Sequence, residues 1–140
     1  MSMDTASPDL ARTLRFAGAA LVLLGGAVHL KLQLDEYGTE DIGRTFALNA
    51  IASGLVAAYL VLRADILGPL AGIAVSVGSL IGFALSRIGD GILDFRETGF
   101  DAPYAGLTVA AEVAAVLVLV AAGIATRRSG PATATSSPRS

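Results

Sequence analysis

The chain has 140 residues, 54% of them apolar and only 16% charged, with 16 glycines and a formal net charge of −2. Soluble domains run at about 45–50% apolar, glycine included, and about 25% charged. The balance therefore argues against an ordinary soluble globule and more strongly against a nucleic-acid partner. The absence of cysteine excludes a disulfide framework, a thiolate metal site and a cysteine nucleophile, and a single histidine excludes a multi-histidine metal cage or a bis-histidine haem within one chain.

A spanning helix needs about 20 mostly apolar residues, and four stretches meet that length: about 13–33, 45–62, 67–86 and 102–126. They are too long for strands and lack the period-two alternation of a barrel wall. The expected fold is all-α, a four-helix transmembrane bundle occupying residues 13–126, with a flexible tail at 1–12 and a disordered one at 127–140. Both tails are rich in Ser, Thr, Ala and Pro, a composition with little to bury. A signal-peptide reading of Arg12, Arg15 and the small residues at Gly25–Ala27 is weaker than an uncleaved first span, because apolar residues continue past the site.

The first span carries the only histidine, His29, near its outer end. Gly18, Val22, Gly25 or Gly26, His29 and Gln33 follow helical spacing, so small residues and the imidazole share one face. The histidine reads either as an interfacial side chain bonded to a loop carbonyl or as a haem ligand, proton relay or hydrogen-bond donor to a quinone. In the second span Asn49 lies about a turn inside, with Ser53 four residues on, a pattern expected to bond across or along helices. The third span is joined to the second by the short turn Arg63–Ile66, which makes the two antiparallel neighbours. Its Gly68, Gly72, Ser76, Ser79, Gly82 and Ser86 form a drifting small-residue stripe, and Gly68-x-x-x-Gly72 and Gly78-x-x-x-Gly82 are small-xxx-small pairs that report close packing within the bundle or between protomers. Arg87 closes this span at the outer surface. In the fourth span Tyr104, Thr108 and Glu112 stand at i, i+4 and i+8 on one face. A carboxylate at the depth of Glu112 costs several kcal/mol unless protonated, paired or hydrated; it serves either a ligand or proton site or a structural hydrogen bond.

Placing the amino terminus inside gives six inner Arg residues (12, 15, 63, 127, 128 and 139) against four outer basic residues (Lys31, Arg44, Arg87 and Arg96), a modest bias toward an N-in, C-in topology. The polar residues at membrane depth then gather in the outer half. His29, Asn49, Ser79, Arg87, Tyr104, Thr108 and Glu112 are the candidate ligand-binding residues of an outward-facing pocket, above an inner half of Leu, Val, Ala and Gly. The outer loop 34–44 is acidic, and the loop 88–101 mixes acids with Ile92, Leu93, Phe95 and Phe100, which are expected at the interface or capping the bundle. The spacing of Asp90, Asp94 and Glu97 is not that of an EF-hand, and solvated acids are expected there.

The stretch HLKLQLDEYGTEDIGRTFALN (29–49) and the segment FRETGFDAP (95–103) resemble a group of small actinobacterial four-helix integral membrane proteins over about residues 14–126, and the layout is also similar to that of DoxX-like proteins. The resemblance implies a plasma-membrane location and a four-helix fold, and carries no reaction with it. No Walker A loop, dinucleotide fingerprint, HExxH or GxSxG motif occurs. No catalytic or metal-binding residues are expected, and no cofactor is named by a motif. The leading expectation is a non-enzymatic accessory or binding module in the lipid bilayer, with a homo-oligomer or a partner subunit packed on the Gly/Ser face of the third span. A haem- or quinone-binding subunit of a membrane redox complex and a small proton-coupled transporter acting as an oligomer are the alternatives.

Overall fold

The computed structural model describes residues 8–38, 40–100 and 104–129 and is all-helical. Four α-helices follow in order: α1 (Pro8–Asp35), α2 (Asp41–Leu62), α3 (Leu67–Leu85) and α4 (Ala105–Arg128). All four are long and apolar enough to cross a membrane. The described residues contain no strand, only an isolated bridge between Ile92 and Phe95 in the loop between α3 and α4.

Several boundaries differ from the sequence expectation: α2 begins at Asp41 rather than at 45, and the ends of α1 and α3 shift by one or two residues. Helix α1 begins at Pro8, so residues 8–12 are helix, with Pro in the first turn where its missing N–H goes unused and Asp9 beside the positive end of the helix dipole. Its 28 residues span ~42 Å, more than the ~30 Å of a hydrocarbon core. Helix α4 starts at Ala105 because Tyr104 has a left-handed backbone (φ 62°) that ends the preceding loop, and it continues through Arg127 and Arg128. The rest of both expected tails, residues 1–7 and 130–140, and the expected start of the fourth span at 102 lie outside the described residues.

Helices α1 and α4 are the central pair. In each, 39% of the apolar window is buried, against 17% for α2 and 22% for α3; the remainder meets lipid. The core is a layer of Ala19 and Val22 (α1), Ala57 and Leu60 (α2) and Ala115 and Leu119 (α4), with Ile73 of α3 against it. In a bilayer there is little hydrophobic force between helices, so close packing of small residues carries association. The glycines show where. A Cβ on Gly18 would clash with Leu119 Cδ2 and lie 2.9 Å from its Cγ, and one on Gly72 would lie 2.5 Å from Leu119 Cδ1. Leu119 is thus a knob seated between two glycines on neighbouring helices.

At the end of the molecule that holds Arg12, Arg15 and the α2–α3 turn, Asp65 Oδ1 accepts the Leu67 N–H (3.0 Å) and its Oδ2 accepts the Tyr59 hydroxyl (2.9 Å). These bonds hold the Asp65 carboxyl below its ordinary range, the Tyr59 hydrogen bond contributing most. Here Gly68 lies against Leu60 and Tyr59. Toward the other end α2 and α3 splay, and a Cβ on Gly78 or Gly82 would meet nothing within 4 Å. The expected close-packing stripe of α3 therefore divides: Gly68 and Gly72 pack inside the bundle, whereas Gly78 and Gly82 face open space.

Candidate functional site

The space left by that splay is a cleft of about 490 Å³ between α2 and α3, backed by α1 and α4. Its wall is mainly apolar, with Ala52 of α2 and Ala74, Val75, Gly78 and Gly82 of α3. Five of the seven candidate residues line it: His29, Asn49, Ser79, Arg87 and Thr108. They arrive from four helices and the start of a loop, which is what converging polar faces require.

His29 is 6% exposed, and both of its ring nitrogens are engaged. One turn earlier, the Gly25 carbonyl accepts Nδ1 at 2.8 Å, which fixes the tautomer with Nδ1 protonated; Nε2 then accepts the Ser79 hydroxyl at 3.2 Å. The ring is further held edge-on by Phe46 (centroids 5.4 Å apart). Asn49 Oδ1 accepts the Ser53 hydroxyl at 3.2 Å. Thr108, 7% exposed, is among the lining residues, and its hydroxyl oxygen is buried with no hydrogen-bond partner among the described residues. A buried hydroxyl left unpaired is disfavoured.

Two candidates lie elsewhere. Tyr104 caps α4 and is 43% exposed, with the Lys31 ammonium 5.8 Å above its ring, so the shared face expected with Thr108 and Glu112 ends where the helix ends. Glu112 is 2% exposed and sits behind the cleft wall rather than in it. Its carboxyl presses on the α1 backbone, where a Cβ on Gly25 would come within 2.6 Å of Oε1, and it faces Ser76, Ser79 and His29. The Ser76 hydroxyl beside it is fully buried and has no hydrogen bond of its own among the described residues.

The mouth is roofed by residues that sequence reasoning did not single out as a site. Tyr37, Phe46 and Phe95 pack as edge-on aromatic pairs with centroids 5.1–6.2 Å apart. The Tyr37 hydroxyl donates to Glu97 Oε1 at 2.8 Å. Burial, with the Glu97 carboxylate second, pushes the Tyr37 hydroxyl up to about 12. Phe95 is aimed by a tight turn in which Leu93 and Asp94 both adopt positive φ and Ile92 and Phe95 exchange backbone hydrogen bonds of 2.9 and 2.8 Å. Gly91, at φ +86°, must be glycine, because a Cβ there would collide with the Phe95 carbonyl oxygen and lie 2.8 Å from its carbon. Arg87 ties the loop to α3: Nε donates to the Gly99 carbonyl (2.8 Å), Nη1 to the Phe83 carbonyl (3.1 Å) and the Ser86 hydroxyl (2.6 Å), and the guanidinium lies 3.5 Å over the Phe83 ring. The expected capping role of the loop's apolar residues is met by Phe95. The signal available in the sequence was the pair of aromatic residues Phe46, in the first turns of α2, and Phe95, within the loop after α3.

Among the described residues no group of three or more His, Asp or Glu side chains is placed to hold a metal ion. The chain matches no known family, no curated protein and no solved structure in the comparisons made with each.

Proposed function

We propose that this membrane protein is a non-enzymatic binding module whose cleft takes a lipophilic molecule with hydrogen-bonding oxygens at one end. The observation that carries the reading is an apolar-walled cleft of about 490 Å³ to which His29, Asn49, Ser79 and Arg87 add polar side chains. Ligand pockets of ~300–1,000 Å³ with apolar walls and a few placed polar groups have this character. The splay at Gly78 and Gly82 supports entry from the bilayer between α2 and α3, and the aromatic roof of Tyr37, Phe46 and Phe95 would keep the polar end of the guest from water. Five inner-end arginines (12, 15, 63, 127 and 128) support an N-in, C-in topology and a mouth at the outer face.

A quinone-type guest fits this site better than haem. Both nitrogens of His29 are already hydrogen-bonded, one as donor and one as acceptor, so an axial bond to iron would have to displace Ser79. The layer of Val22, Leu60 and Leu119 beneath the cleft is 0–1% exposed, which favours a binding site over a through-path.

Native mass spectrometry of the protein taken from its own membranes in mild detergent tests the reading. The expected result is a bound mass on the wild type that is lost in Gly78→Leu, whose side chain enters open space. A bare wild type, or a bound mass undiminished in the variant, overturns it.

A further inference from the structure

The end of the bundle away from the cleft mouth gathers charge that the described residues do not neutralise. Arg12 and Arg15 of α1, Arg63 of the α2–α3 turn, and Arg127 and Arg128 closing α4 stand there with two acids, Asp9 and Asp65. Asp65 is committed: its Oδ2 lies 3.8 Å from Arg63 Nε, and it accepts the Tyr59 hydroxyl and the Leu67 N–H. Among the described residues neither Asp9 nor any of the other four arginines takes part in an ion pair. Arg12 and Arg15 are held together, since their guanidinium carbons lie 5.4 and 5.6 Å from the centre of the same Phe16 ring. Arg15 Nε is buried with no hydrogen-bond partner among the described residues. Beside them is a pocket of about 350 Å³ where α1, the α2–α3 turn and α4 meet. Arg12, Arg15, Ala64, Thr126 and Ser129 are in its lining, which contributes two cations, two hydroxyl side chains and no carboxylate.

We propose that this pocket binds the phosphate of an anionic membrane lipid, with Arg12 and Arg15 as its cationic ligands. Depth argues for a lipid as the source. From Arg15 to Lys31 helix α1 carries no formally charged side chain between the two. That interval rises only ~24 Å, short of the ~30 Å hydrocarbon core, so Arg15 lies at the hydrocarbon edge or just inside it. A cation at that level extends toward the headgroups, and helical side chains lean toward the N-terminus, which for α1 is the pocket end. The planar guanidinium fork matches phosphate oxygens. Charge argues for the class of headgroup: arginines without counter-ions repel the ammonium of a zwitterionic lipid and favour net negative charge, and basic pockets between helices at the membrane surface hold anionic headgroups in this way. The proposal does not rest on the cleft, which lies at the other end.

Native mass spectrometry of the full chain released from nanodiscs of phosphatidylcholine and phosphatidylglycerol in equal parts tests the assignment. The wild type is expected to retain phosphatidylglycerol in preference to phosphatidylcholine. Arg12→Gln/Arg15→Gln should weaken that preference by about tenfold or more, the effect of removing two basic groups beside an anionic headgroup. Ala64→Glu keeps both arginines but places a carboxylate at the pocket wall, so it should also lower the preference and serves if the double variant does not fold. Arg44→Gln, at the other end and paired with Asp41, should leave it unchanged, as should Gly78→Leu in the cleft. Retention of the two lipids in their bulk ratio, a preference undiminished in the pocket variants, or an equal loss in Arg44→Gln overturns the proposal. Inorganic phosphate added to the protein in phosphatidylcholine alone separates the two sources of the anion: a phosphate adduct lost in the double variant, without any preference for phosphatidylglycerol, assigns the pocket to the free ion and overturns the lipid.

Discussion

The seat of Leu119 between Gly18 and Gly72 allows a quantitative test of what holds the bundle together. In Gly18→Ala the added methyl would overlap Leu119 Cδ2 and lie 2.9 Å from Cγ. Leu119 is fully buried and cannot move aside without disturbing Gly72 on the opposite helix. Overpacking of this kind costs ~1–3 kcal/mol. Leu119→Ala acts in the other direction. Separated helices in a bilayer keep their leucines in lipid, so the usual transfer contribution falls away, and the cavity remains: on the order of 80 Å³ at ~24 cal/mol per Å³, about 2 kcal/mol. In the double variant the methyl added at position 18 enters space vacated by the leucine, so both losses shrink together. The expected coupling is ~1–3 kcal/mol in favour of the double variant, read from unfolding in mixed micelles of increasing SDS fraction followed by circular dichroism. Gly54→Ala, where a Cβ meets nothing within 4 Å, is the control and should not destabilise. Single-variant losses that add to within about 0.5 kcal/mol in the double variant would refute the knob-and-glycine account.

Glu112→Lys should insert and accumulate far less than Glu112→Gln, because only the amide stays neutral among Ser76, Ser79 and His29; comparable yields of both from the membrane fraction contradict the buried placement. Gly91→Ala should loosen the roof by ~1–3 kcal/mol of backbone strain, since φ is +86° and the Phe95 carbonyl blocks the methyl; amide exchange across Ile92–Phe95 should rise while α1–α4 stay protected. Tyr37, raised from 10.0 to about 12, makes the roof alkali-sensitive. The folded state holds the proton more tightly than an open loop does, so the contribution is intact below pH 10 and is lost as pH rises through 12. In an ultraviolet titration Tyr37→Phe should remove a late-ionising tyrosine from the wild-type curve; an unchanged late amplitude assigns it to another tyrosine.

The candidate site was legible in part. His29, Asn49, Ser79 and Thr108 could be named because a polar residue in an apolar helix stands out against its background, and helical spacing says which face it occupies. The spacing of Gly78 and Gly82 suits packing within the bundle or between protomers, and within the bundle they leave a gap, since spacing alone cannot tell a glycine that admits a neighbouring helix from one that does not. Tyr37, Phe95 and Glu97 lie in loops, where no period indicates which way a side chain points. Tyr104 was placed on the Thr108 face by continuing a helix one residue past its end, where the backbone turns left-handed.

The sequence by itself determined that the chain has four apolar helices long enough to span a membrane, and which polar residues interrupt them, because backbone groups in lipid can be satisfied only within helices. Which glycines close the bundle and which hold it open, and that Glu112 stands behind the cleft rather than in it, depended on the relative rotation and splay of α2 and α3. Those follow from side-chain packing between helices distant in sequence, which no single span encodes.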